Sequence, residues 1–288
     1  MMPRKGLPAW IVGEFFGTFI LVFFGCGSVC AAVTTGAEVG VFQVAIVWGL
    51  GIATAIYLTA ALSGAHLNPA VTISLAVWGG FPKARVPGYI VTQMIGAFTA
   101  AAVLYVIFGG AMREFETRNG IVRGQPGSEA SAMVFGEFYP NPLGQPLTEG
   151  HPGRMSEARA FVAEVVGTAL LLLVIFCTTD ERNQHRPQIL TAATIGLTVT
   201  MLISLLGPLT MACFNPARDL GPRLFSSLVG WGAVPFTANG LGWLTVYIIA
   251  PITGGLIGGA IYHFFFRHNY DTSTQAIPGR VDGAVPER

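Results

Sequence analysis

Two tripeptides carry most of the chemistry available to this sequence. Asn68, Pro69 and Ala70 lie within SGAHLNPAV, Ser63 to Val71, and Asn215, Pro216 and Ala217 within MACFNPARD, Met211 to Asp219. Proline at the first helical position costs no internal hydrogen bond, and asparagine just before it can cap the exposed amides. Each tripeptide therefore predicts the start of a short helix, about 68–78 and 215–228. Helix amino termini are the positive ends of the backbone dipole, so two of them aimed at one centre raise a barrier to cations. Arg218 follows the second tripeptide; its fork of donors can bind hydroxyls while its permanent charge repels cations. Glu14 and Glu164 each sit about four residues into an apolar run, where charge is costly unless it holds something in place. This is recognition and exclusion rather than bond making, and no enzyme activity, metal or cofactor is expected. Cys26, Cys30, Cys177 and Cys213 lack close CxxC spacing and read as buried thiols. The histidines form no motif with one another.

The elements that must position these residues are membrane helices. Of 288 residues 52% are hydrophobic and 11% charged, with a formal net charge of +1 and 37 glycines. An ordinary soluble domain carries about 25% charge. Residues 86–112, 187–217 and 224–266 contain no Asp, Glu, Lys or Arg. With roughly 20 apolar residues needed to cross a bilayer core, spans are predicted at about 10–33, 40–62, 85–109, 158–179, 189–207 and 242–266. The runs do not alternate in polarity, as strands of a barrel would, and the first is too long and Gly-rich for a cleaved leader. Abundant glycine lets helices approach closely in lipid. Counting spans puts Arg4, Lys5, Lys83, Arg85, Arg182, Arg186 and Arg267 on one side, which the positive-inside rule makes cytoplasmic, along with both termini. The interval 110–157 then faces outward as a structured loop at most. Residues 1–9 and 267–288 are tails, the second rich in Pro, Gly and charge, around a single membrane domain at 10–266.

The chain repeats itself weakly. Gly13 to Thr18 reads GEFFGT and Ala163 to Thr168 reads AEVVGT, and each half carries three spans and one Asn-Pro-Ala insert. An odd number of spans per half inverts the second half relative to the first, and inverted repeats meet at a central site. Broken helices need protein or a water-filled cavity around their free backbone groups, and a permeation path follows.

With both Asn-Pro-Ala motifs inside six spans, the sequence resembles the major intrinsic protein family of aquaporins and glycerol channels. The likeness rests on SGAHLNPAVT from Ser63 to Thr72, GPLTMACFNPARDLGPR from Gly207 to Arg223, and the Glu-bearing first helix of each half, and it extends from about Trp10 to Phe266. It implies an all-α, right-handed bundle of six membrane helices plus two half-helices, one pore per subunit, and a homotetramer in the bilayer. Within that frame Asn68 and Asn215 donate amide hydrogens to the permeant. The carbonyls of Gly64, Ala65, His66, Met211, Ala212 and Cys213 form a ladder of acceptors. Glu14 and Glu164 hold the non-helical loops, and Asp219 braces the loop and half-helix outside the lumen.

The resemblance also points to a solute. Trp48 matches the filter tryptophan of glycerol facilitators, and EFYPNPLG from Glu137 to Gly144 resembles their outer loop. Ile203 stands where water-selective members carry His, and Arg218 matches the constriction arginine. Ala212 departs from the Phe of enteric glycerol facilitators, and Ile203 from their Gly. Trp48, Ile203, Ala212 and Arg218 together resemble the filter of plant nodulin-like channels, which also pass glycerol. The resemblance thus implies passive flux of glycerol with some water, and urea or small polyols as further permeants, across a bacterial inner membrane. A water-selective channel is the alternative within the family, and a nontransporting junction scaffold is the alternative from another class. No coupling site for a secondary transporter is visible, and nucleic acid is not an expected partner.

Overall fold

The computed structural model describes residues 6–147 and 155–272. Arg4, Lys5, the stretch 148–154 and tail residues 273–288 lie outside the described residues. All regular structure among the described residues is helical. The long helices are α1 (Ala9–Thr34), α2 (Val41–Ser63), α4 (Val86–Arg118), α6 (Glu157–Thr179) and α7 (Thr191–Thr210), with α10 (Gly242–Tyr270) completing six helices long and apolar enough to cross a membrane. The short helices α3 (Pro69–Trp78) and α8 (Pro216–Ser226) begin at the two prolines, and single turns form α5 (Glu129–Ala132) and α9 (Val234–Thr237).

Apolar residues surround α1 on all sides, so what divides its faces is size. Gly13, Gly17 and Gly25 are buried while Phe16 and Phe24 are about half exposed. Elsewhere glycine brings backbone against backbone. A Cβ on Gly49 of α2 would run into the Gly196 carbonyl of α7, and one on Gly258 of α10 into the Ala169 carbonyl of α6. Without a hydrophobic force between helices in lipid, such close contact is what holds a bundle together. At the α2–α7 crossing, the Thr200 hydroxyl also donates to the Ala45 carbonyl at 3.2 Å.

Three boundaries depart from the sequence expectation; one is the end of α10, which runs to Tyr270 rather than stopping near 266. Helix α4 runs to Arg118 rather than ending near 109, so the outer segment starts as helix. Arg113, Glu114 and Glu116 end the uncharged run, yet they are compatible with helix and do not stop it. The stop is Gly120, at φ 64°, where the Ile121 N–H closes on the Glu116 carbonyl at 2.9 Å. Helix α7 likewise continues to Thr210, three residues past the expected end. The described chain from Ile121 to Leu147 folds inward, burying Phe135 and Phe138 completely. Arg123 pins its start, bonding Glu116 through Nε at 2.8 and 3.0 Å and lying 3.9 Å from the Trp231 ring centroid.

Candidate functional site

The strands of backbone leading into α3 and α8 adopt conformations that L-residues avoid. Ala65 and Leu67 have φ of 49° and 54°; Met211, Ala212 and Phe214 have 65°, 59° and 51°. Each such residue costs of order 1–3 kcal/mol and persists only when its surroundings dictate it. A buried carboxylate dictates it on each side. Glu14 accepts the His66 N–H at 3.0 Å and the Leu67 N–H at 2.8 Å, and the Gln93 side chain donates to it at 2.7 Å. Glu164 accepts the Cys213 and Phe214 N–H groups at 3.1 and 2.9 Å and the Thr210 hydroxyl at 2.6 Å. The GEFFGT and AEVVGT repeats acquire a second meaning here. Three residues after each glutamate, Gly17 leaves the space taken by the Leu67 side chain and Gly167 the space taken by the Phe214 ring. One helix turn thus grips the loop by its amides and seats its side chain.

The asparagines join the two halves. Asn68 Oδ1 caps α3 by accepting the Ala70 N–H at 2.8 Å, and Asn215 Oδ1 caps α8 by accepting the Ala217 and Arg218 N–H groups at 3.0 and 3.3 Å. Their amide nitrogens cross over: Asn68 Nδ2 donates to the Phe214 carbonyl at 2.8 Å and Asn215 Nδ2 to the Leu67 carbonyl at 2.9 Å. A carboxamide nitrogen has two hydrogens, and these bonds use one of each.

A cavity of about 660 Å³ runs past this junction. Gly64, Ala65, His66, Leu67 and Asn68 line it from one half and Ala212, Cys213, Phe214, Asn215 and Arg218 from the other, together with apolar side chains such as Leu21, Ile52, Val71 and Val199. Trp48, Ile203, Ala212 and Arg218 all border it, with the Arg218 guanidinium carbon 4.3 Å from the Trp48 ring centroid. Met211, expected to extend the ladder, does not border it. Because α7 runs on to Thr210, Met211 becomes the left-handed cap, its N–H bonded to the Gly207 carbonyl at 3.0 Å and its sulfur accepting the Phe138 N–H at 3.3 Å.

Behind the cavity wall lies a balanced set of buried charges. Arg218 forms an ion pair with Glu137. Asp219, fully buried, accepts the Glu137 N–H at 2.7 Å and binds Arg223, one turn along α8, through both oxygens at 2.8 Å. Arg223 in turn donates to the carbonyls of Glu137 and Pro235. Two arginines face two carboxylates, and Arg218 Nη1 is left with no hydrogen-bond partner among the described residues.

A family profile described as Major intrinsic protein matches residues 5–262. The chain belongs to the major intrinsic protein family. It is 42% identical over 283 residues to a glycerol uptake facilitator protein of Pseudomonas aeruginosa, covering 97% of each chain. It is also 39% identical over 267 residues to a propanediol uptake facilitator of Salmonella typhimurium, covering 92% of this chain and 97% of that one. The X-ray structure of the aquaglyceroporin from Plasmodium falciparum superposes with a TM-score of 0.76 at 29% identity, covering 91% of this chain and 98% of that one. Such kinship places this major intrinsic protein in the aquaglyceroporin branch.

Two residues of this family member escaped the sequence reading. Glu137 was visible only as part of a loop phrase, in a segment where carboxylates are common. Arg223 carried one available signal, its spacing of four from Asp219, which on a helix sets the two side chains face to face.

Proposed function

We propose that this major intrinsic protein is a passive, bidirectional channel for glycerol and other small neutral solutes that admits some water and excludes protons and ions. The observation that carries this reading is the mixed lining of the cavity: residues 64–68, residues 212–215 and Arg218 bring backbone and side-chain polar groups to a wall otherwise built largely of aliphatic side chains and Trp48. A linear polyol combines the same two chemistries, hydroxyls and a carbon chain. Asn68 and Asn215 offer their remaining amide hydrogens, Arg218 offers its guanidinium, and the carbonyls of Gly64, Ala65, His66, Ala212 and Cys213 offer acceptors. An oxygen that accepts both asparagine hydrogens cannot also relay a proton along a water chain. The names borne by the bacterial relatives favour glycerol or propanediol over water alone, and Ile203 leaves the constriction without the polar group of a water filter.

The same reading has the channel work as a homotetramer in a bacterial inner membrane with both termini cytoplasmic. Support for the orientation comes from the ends of three elements. Trp78 at the end of α3 lies 5.3 Å from the His263 ring, and Asp180 after α6 accepts the Tyr262 hydroxyl at 2.8 Å. That gathers Lys83, Arg85, Arg182, Arg186 and Arg267 at one end of the bundle, where the positive-inside rule places the cytoplasm. Stopped-flow light scattering on proteoliposomes, comparing glycerol, urea and longer polyols with osmotic water flow, tests the solute range. Replacing Arg218 by Ala should impair glycerol discrimination and admit cations together; unchanged cation exclusion in conductance recordings would remove Arg218 from this role.

A further inference from the structure

The constriction tryptophan owes its position to a residue on another helix. Trp48 belongs to α2 and is almost fully buried, with one boundary on the cavity. Its ring-fusion atoms Cδ2 and Cε2, with the adjoining Cε3, lie where a Cβ of Gly25 on α1 would be, closer than any real side chain tolerates. The Arg218 guanidinium stands over the ring from α8 at 4.3 Å. An indole has only two rotatable bonds and cannot yield by folding away a flexible end, so a methyl group at position 25 must move the whole ring off α1. The free space that adjoins the ring is the cavity itself.

The repeat shows that helix packing alone does not require glycine there. Eleven residues after Glu14, α1 has Gly25; eleven residues after Glu164, α6 has Ile175, which lines the cavity. The inverted half accommodates a large side chain on the same turn, where no tryptophan has to be seated. Gly25 differs also from Gly17, whose space is taken by the tip of a flexible leucine.

We propose that Gly25 is a positioning residue of the selectivity constriction, setting its bore by seating Trp48 against the α1 backbone. The proposal rests on Trp48 belonging to a solute pathway. Its consequence is graded by solute size: narrowing by a displaced indole obstructs a carbon chain before it obstructs a water molecule.

The test uses the full-length protein in liposomes, with stopped-flow light scattering on the wild type, Gly25→Ala and the double variant Gly25→Ala with Trp48→Phe. Gly25→Ala should lower glycerol influx about tenfold while osmotic water flow changes less than about twofold, and the smaller phenylalanine should restore glycerol influx to about half of wild type or more. An unchanged glycerol-to-water ratio in Gly25→Ala overturns the proposal, as does equal loss of both fluxes with no recovery in the double variant. If Gly25→Ala fails to fold, recovery of the folded protein by Trp48→Phe supports the seat, and failure to recover overturns it. Wild-type vesicles that pass no glycerol would instead remove the underlying channel reading, so the two failures are distinct.

Discussion

Glu137 meets Arg218 from a different part of the chain: the arginine stands on α8, and the carboxylate that pairs with it arrives on the folded outer segment, gripped at its N–H by Asp219 and at its carbonyl by Arg223. One turn of α8 therefore holds a loop residue at both backbone groups and presents its carboxylate to Arg218. Removing one partner of a buried pair leaves the other charge uncompensated, at a cost of about 3–5 kcal/mol. Glu137→Gln preserves shape and removes charge. It should lower stability in detergent by an amount of that order, and Arg218→Ala in the same background should add little. Full additivity in thermal or denaturant unfolding would dissolve the pair.

The asparagine crossover predicts non-additivity of another kind. Asn68→Ala and Asn215→Ala should each cost about 1 kcal/mol for the lost cap and about as much again for the orphaned carbonyl of Phe214 or Leu67. Both crossing bonds join the same two loops, so the double variant should be less damaged than the sum of the singles by at least about 0.5 kcal/mol. A double-mutant cycle in unfolding measurements reads this directly.

The seats beside the anchoring glutamates are unequal. A methyl group at Gly17 meets the end of the Leu67 side chain and the Thr59 hydroxyl, whereas one at Gly167 meets the rigid Phe214 ring. Gly167→Ala should therefore be the more destabilising, by about 1–3 kcal/mol, with Gly17→Ala below it. Thermal shift of the two purified variants decides the order, and equal shifts would mean that ring stiffness is irrelevant.

At the end of α6 that gathers the basic residues, Asp180 supplies a pH dependence. Burial alone would raise its carboxyl, but Arg182, donating from Nε at 2.9 Å, Nη2 at 3.0 Å and its own N–H at 3.0 Å, and the Tyr262 hydroxyl at 2.8 Å hold it below the ordinary carboxylate range. A depressed value means that the stabilisation is complete above the unfolded value near 4 and is lost as the pH falls through the lower folded one. Arg182 is partly exposed, so the contribution stays below about 1 kcal/mol. Asp180→Asn should abolish that acid-side loss in melting curves recorded from pH 6 down to about pH 3.

What the sequence makes legible is whatever the membrane forbids. Glu14, Glu164 and Arg218 stand out because charge is expensive in an apolar run, and the prolines because they start helices where spans should continue. Glu137 gives no such signal, since it lies in a polar loop whose inward fold depends on contacts far along the chain. Hydropathy marks the end of an apolar run and misses the end of α4 at Arg118, because the end of an apolar run and the breaking of a helix are different events. The left-handed residues at 65, 67, 211, 212 and 214 are ordinary by type; only the carboxylates beneath them force that backbone. Gly17 and Gly167 were visible as a repeat, but their use as seats required the side chains of Leu67 and Phe214 to be in view.

The crossing bonds also set an order of manufacture. Chains are made from the amino terminus and tend to fold in that order. Until residues 214 and 215 emerge from the ribosome, Nδ2 of Asn68 and the carbonyl of Leu67 lack the partners they have in the finished protein, although Glu14 can already shape their loop. The first half is thus born with its pore segment posed and unfastened, and the selective junction closes only when the inverted half has been inserted, which makes the pathway among the last features of the molecule to come into being.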